Sequence, residues 1–190
     1  EGALVASTNQ WFSFGVDTPQ IVTGSQYEGG KALSLPATGD PATGDPANEI
    51  ILVNRIDGTG HPVIWTDLVM RPALLPQGIT PEVGAESTTL FYFTDQGHVL
   101  AYDGTTQQWL SRVMGSAFNL QELTRISIRQ DFETQQWDLL IDDQFVFARL
   151  GFANPAPHYQ RFAILAASND DTVIDSVRVQ STQLQFGLAS

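Results

Sequence analysis

Asp131 and Glu133 stand two residues apart at the end of an alternating run, so an extended chain would turn both carboxylates to one side. Paired carboxylates are the equipment of glycosidic-bond hydrolysis, one acting as acid and the other as nucleophile or base. This pair falls where the chain must bend toward Trp137, and aspartate in a turn accepts hydrogen bonds from nearby backbone N–H groups. Turn capping is therefore the expected role. Glu82 and Glu86 lie in a Pro- and Gly-containing stretch and read as surface charges. A second chemistry, proton abstraction beside a carboxylate-neutralising group, needs Tyr or His near Arg. Arg71, Arg125, Arg129, His98, Tyr92 and Tyr102 supply those types.

Phase along the chain groups them. Trp65, Asp67 and Arg71 share one strand parity, and His98 and Tyr102 share another. If both parities face one concave sheet, then Trp65, Asp67, Arg71, Tyr92, His98 and Tyr102 line a single groove, aromatic and polar together. Flat rings suit the C–H faces of a sugar, and planar polar groups suit its hydroxyls. A competing reading makes Trp65 and Tyr92 core residues with a polar tip at the rim.

Metal chemistry finds less. His61, His98 and His158 lack the close spacing of a zinc pair. Calcium takes carboxylate and carbonyl oxygens, and Asp142, Asp143, Asp170 and Asp171 (with Asp103) are the places where it would bind. None has EF-hand spacing, and hairpin-turn duty is the stronger expectation, because Asp tolerates the backbone angles required. Asp175 shares parity with Val173, Val177 and Val179, which turns it toward the apolar side. A buried carboxylate must be bonded, so backbone N–H groups or an arginine such as Arg161 or Arg149 are its expected partners. There is no G-x-S-x-G elbow and no phosphate-cradling glycine loop.

The elements that would hold these residues are strands. Residues 123–150 read as three strands with two tight turns: Ile126 and Ile128 alternate with Arg125, Ser127 and Arg129, Trp137, Leu139 and Ile141 repeat the beat, and Asp142-Asp143 turns the chain. Further strand-like runs cover residues 10–14, 20–23, 32–35, 49–55, 62–70, 88–94, 98–102, 108–112, 161–167 and 172–179. Residues 74–77 and 119–123 are the best candidates for a turn or two of helix. The whole predicts an all-β, two-sheet antiparallel sandwich with few or no helices. Residues 1–190 are expected to form one domain. The duplicated PATGD of residues 36–47 is expected to be a solvated surface loop, and residues 181–190 a tail or an edge strand.

Composition narrows the partners. Nine basic residues against 21 acidic ones give a net charge of -12, and Lys31 is the only lysine. Nucleic-acid binding needs clustered cations, so that partner is excluded, and an anionic membrane surface is a poor one. No apolar run approaches the roughly 18–20 residues that cross a bilayer, so membrane insertion is not expected. The absence of cysteine removes disulfides, thiolate metal sites and a cysteine nucleophile. The chain starts at Glu1, which suggests a processed or trimmed N-terminus whose signal peptide is not in view.

Three motifs in order resemble the concanavalin A-like lectin/glucanase superfamily, in particular its bacterial laminin-G-like jelly rolls. They are Gly30-Lys31-Ala32-Leu33-Ser34-Leu35, Trp137-Asp138-Leu139-Leu140-Ile141-Asp142-Asp143 and Ile174-Asp175-Ser176-Val177-Arg178-Val179. The resemblance spans residues 10–180 and implies two curved sheets with a concave front. It also implies a choice among lectins, adhesion modules, glucan hydrolases and polysaccharide lyases. Retaining glucanases of this fold carry E-x-D-x-x-E on one strand, and no such string occurs. The leading expectation is thus a non-catalytic glycan-binding or adhesion module, secreted, periplasmic or on the cell surface, with neighbouring domains in a longer chain. No cofactor is required, with Ca2+ the one ion to test. The alternatives are a polysaccharide-active enzyme, for instance a lyase using Tyr102 or His98 as base, and a purely structural domain.

Overall fold

The computed structural model describes residues 9–14, 20–36, 48–54, 61–76, 78–115, 121–166 and 171–181. The PATGD repeat beyond Pro36, Asp170 and residues 182–190 lie outside this set. Fourteen strands follow in chain order: β1 (Asn9–Phe14), β2 (Gln20–Thr23), β3 (Lys31–Leu35), β4 (Asn48–Asn54), β5 (Val63–Arg71), β6 (Leu74–Leu75) and β7 (Phe91–Thr94). Then come β8 (His98–Asp103), β9 (Gln108–Val113), β10 (Thr124–Asp131), β11 (Gln136–Ile141), β12 (Gln144–Gly151), β13 (Phe162–Ala166) and β14 (Thr172–Gln180). Among the described residues the only helical piece is a single 3-10 turn, Glu28–Gly30.

A seven-stranded antiparallel sheet runs β12-β11-β10-β5-β14-β3-β2. Opposite it are a four-stranded sheet, β6-β7-β8-β9, and a three-stranded one, β1-β4-β13. The alternation read from residues 123–150 does what it predicts. Ile126 and Ile128 of β10 and Trp137, Leu139 and Ile141 of β11 are all buried on the inner face. Ile64, Leu68 and Met70 of β5 extend that face, and Phe93, Val99 and Ala101 meet it from the four-stranded sheet. Phe91 of β7 reaches across to Trp137, ring centroids 6.4 Å apart. Ile164 of β13 joins the same core. The sandwich is therefore a two-layer packing of inner faces, as a period of two requires.

Local devices shape the strands. Asp142 and Asp143 form the two-residue turn between β11 and β12, both at positive φ (48° and 62°), the geometry that matches strand twist. Ala148 and Arg149 bulge opposite Asp138, whose carboxylate accepts the Arg149 N–H at 2.7 Å and so satisfies a donor the bulge would strand. The helical turn expected at residues 74–77 is not formed where it is described. Leu74–Leu75 instead makes a short parallel pair with Phe93–Thr94. Pro72 and Pro76 flank it, and prolines cannot supply the N–H bonds that propagate a helix. Gln121–Leu123, the described part of the other candidate, is turn and bend.

Candidate functional site

On β5 the side chains of Trp65, Asp67, Val69 and Arg71 leave the outer face of the seven-stranded sheet, because Ile64, Leu68 and Met70 take the inner one. Cross-strand register sets Arg125 opposite Val69, Ser127 opposite Asp67 and Arg129 opposite Trp65. Asp67 is 4% exposed. Its Oδ1 accepts Arg125 Nη2 at 3.0 Å and the Ser127 hydroxyl, while Oδ2 meets no donor among the described residues. Arg125 extends the chain of charge to Asp143 at 2.7 Å. Arg129 pairs with Asp131 at 3.0 Å and Asp138 at 3.3 Å. Trp65, at 8% exposure, has little ring to offer a ligand. This centre is a bonded ionic layer.

The other outer face is different. On β8, Val99, Ala101 and Asp103 turn inward, leaving His98, Leu100 and Tyr102 outward. Tyr102 faces Trp109 across the β8–β9 hairpin, and Tyr92 reaches the same indole from β7. Trp109 sits 5.0 Å from Tyr92 and 5.4 Å from Tyr102 between ring centroids, both edge to face. All three rings are half-buried. His98 Nδ1 lies 3.1 Å from the Ser111 hydroxyl, beside them on neighbouring strands. The result is a cluster of aromatic rings with a polar margin.

The six candidates therefore do not share one groove. Trp65, Asp67 and Arg71 lie on the outside of the large sheet, and Tyr92, His98 and Tyr102 on the outside of the four-stranded sheet opposite. Strand parity says which residues of one strand share a face; it does not say which sheet the strand joins. Trp109 and Ser111 complete the second group and were not among the candidates. The register of the Asp103-Gly104 hairpin was the available signal, since it places Trp109 against Tyr102.

Of the aspartates expected in turns, Asp103, Asp131, Asp142 and Asp143 are bonded there, and Asp170 lies outside the described residues. Asp142 accepts the Arg125 N–H at 3.1 Å, and Asp143 is ion-paired to the same arginine. The carbonyl of Asp171 faces Arg71 Nη2 at 3.4 Å. Asp131 caps its turn through the N–H groups of Glu133 and Thr134, both at 3.1 Å. Burial pushes its carboxyl up, but the Thr134 N–H and Arg129 outweigh that and hold it below the usual range. Asp103 accepts the N–H groups of Gly151 at 2.8 Å and Thr105 at 3.0 Å and the Thr106 hydroxyl at 2.9 Å. Against the upward push of burial, these bonds lower its pKa. Asp175 sits at a bulge of β14 and accepts the Glu28 N–H at 2.9 Å, the first of its two expected kinds of partner. Burial, with the Glu28 charge added, outweighs that bond and raises its pKa. Arg161 is paired elsewhere, to Glu86 at 2.6 Å.

Two concavities adjoin these faces. One, of about 480 Å³, lies between the edges of the two sheets, with Trp109, Leu110 and Arg112 on one wall and Phe147 and Leu150 on the other. Arg112 rests over the Phe147 ring at 5.5 Å. The other, of about 390 Å³, opens at the end of the large sheet where Arg71 emerges beside Tyr27 and Glu122. Among the described residues no group of three or more His, Cys, Asp or Glu side chains converges as a metal site would require.

No protein-family model matches the chain, and no curated protein matches it either. Solved structures do. The binding domain of botulinum neurotoxin DC in complex with SialylT superposes with a TM-score of 0.58 at 8% identity, over 93% of this chain and 44% of that one. The binding domain of botulinum neurotoxin serotype D gives 0.54 at 9% identity, with the same coverage. A sialidase gives 0.50 at 11% identity, over 85% of this chain and 17% of its own. The chain thus spans less than half the length of these neighbours, and what it shares with them is the β-sandwich fold.

Proposed function

We propose that the chain is a glycan-recognition module of the concanavalin A-like, laminin-G-like kind, working outside the cytoplasm as part of an exported protein. The observation that carries this reading is the Tyr92–Trp109–Tyr102 cluster with His98 and Ser111 at its margin. Aromatic rings on a rigid sheet offer C–H stacking surface with little ordering cost, and the adjacent hydroxyl and imidazole suit sugar hydroxyls. The shared architecture with a toxin binding domain whose structure holds SialylT gives the reading further support. A lyase using Tyr102 or His98 as base draws less support. The described strands β7, β8 and β9 turn no arginine or lysine to that face, and Tyr102 is packed against Trp109.

The test is a glycan array probed with the chain, with and without calcium, followed by titration of the best hit. Trp109→Ala is expected to weaken that binding about tenfold or more, in keeping with the loss of one stacking ring. Its unfolding should stay cooperative. Absence of binding to every glycan would remove the reading.

A further inference from the structure

Among the described residues, four of the eight arginines of the chain are paired with carboxylates, and Arg71 is not one of them. In a molecule with 21 acidic residues, Arg125, Arg129, Arg161 and Arg178 are each paired with a carboxylate. Arg71 is half-buried and has no carboxylate within ion-pair distance among the described residues; its Nη2 lies 3.4 Å from the Asp171 carbonyl. It opens into the cavity of about 390 Å³ at the end of the large sheet. That cavity has a mixed lining. Val173 and Leu123 give it apolar surface, Tyr27 an aromatic ring with a hydroxyl, and Gln26 an amide. Glu122 lines it too, yet remains beyond ion-pair distance of Arg71.

Two separated charges of opposite sign select for a particular ligand. A guanidinium with solvent-facing N–H groups is matched by a carboxylate, which it can hold through two parallel bonds. A carboxylate such as Glu122 accepts from hydroxyls and repels a second anion. We infer that this cavity is a binding site for a sugar acid: a monosaccharide-sized ring whose carboxylate lies on Arg71 and whose hydroxyls reach Glu122 and Gln26. The volume falls within the range of small-ligand sites. The site lies on the outside of the large sheet, away from the Trp109 face, and stands or falls separately from the reading given to that face.

Amide shifts in 15N-labelled protein titrated with sodium glucuronate, glucose and sodium acetate test this directly. Glucuronate should move the amides of Gln26, Tyr27 and Glu122, and should bind about tenfold or more tightly than glucose or acetate. Arg71→Gln should lose that advantage. Glu122→Ala, at an exposed position, removes both a hydroxyl acceptor and a repelling charge, so it should tighten acetate and narrow glucuronate's advantage over it. Equal binding of glucuronate and glucose would overturn the carboxylate's role, and equal binding of acetate and glucuronate would overturn the sugar's. Shifts confined to Tyr92 and Trp109, or no shifts at all, would overturn the cavity while leaving the array result on the aromatic face to stand by itself.

Discussion

Arg125 holds two carboxylates whose loss would be felt very differently. Asp143 is largely exposed, and an exposed pair is worth about 0–1 kcal/mol. Asp143 also sits at φ 62°, a left-handed conformation that costs a non-glycine residue about 1 kcal/mol. Asp143→Gly trades one effect for the other, so its unfolding free energy in urea should move by less than about 1 kcal/mol. Asp67 is buried, and removing its partner leaves a charge without compensation. Arg125→Ala should therefore cost about 3–5 kcal/mol in the same experiment. Asp175 carries the opposite sign. With its pKa raised by burial, the folded chain holds the proton more tightly than the unfolded chain does. Its contribution is present below the ordinary carboxylate pKa and is lost as pH rises through the raised value. At neutral pH the ionised Asp175 thus works against folding. Asp175→Asn, which keeps an acceptor for the Glu28 N–H, should raise the melting temperature at pH 7 and lose that gain in acid.

At the scale of elements, the β8–β9 hairpin shows what could be read in advance and what could not. Its strands were legible because His98, Leu100 and Tyr102 alternate with apolar neighbours, and Asp103-Gly104 marks a turn. Its destination was not. The turn lodges against the end of β12, where a Cβ on Gly104 would stand 1.8 Å from the Phe152 carbonyl oxygen. Gly104→Ala should accordingly cost about 1–3 kcal/mol, read from the urea midpoint, because backbone must shift to admit the methyl. Such an approach depends on residues nearly fifty positions apart, which no local pattern encodes. The same reason kept the candidate site from being drawn correctly. Trp65 and Tyr102 each announce a face, yet the pairing of β5 with β10 and β14, and of β8 with β7 and β9, sends those faces outward on opposite sides. The bulges at Asp138 and Asp175 escaped for a related reason: an extra residue in one strand is defined only against its partner.

For the molecule as a whole, the four-stranded sheet is the smaller partner, and a few contacts tie it to the larger one. Phe91 meets Trp137, Arg112 lies on Phe147, and Asp103 reaches the Gly151 N–H. The last of these is a polar tie, and the Gly104 N–H adds another by donating to the Gly151 carbonyl at 3.0 Å. Because its bonds to N–H and hydroxyl groups lower its pKa, Asp103 contributes stability above the ordinary carboxylate range, lost as pH falls through the lowered value. The aromatic face proposed to take a glycan is carried on this smaller sheet, so its rings inherit whatever rigidity those ties confer. Gly151 also ends an edge strand, a place where the chain would ordinarily fray. Held by a carboxylate from the opposite layer, its amide should instead trade hydrogen for deuterium as slowly as the middle of β11. Asp103→Ala at unchanged pH should release it to the pace of a free end.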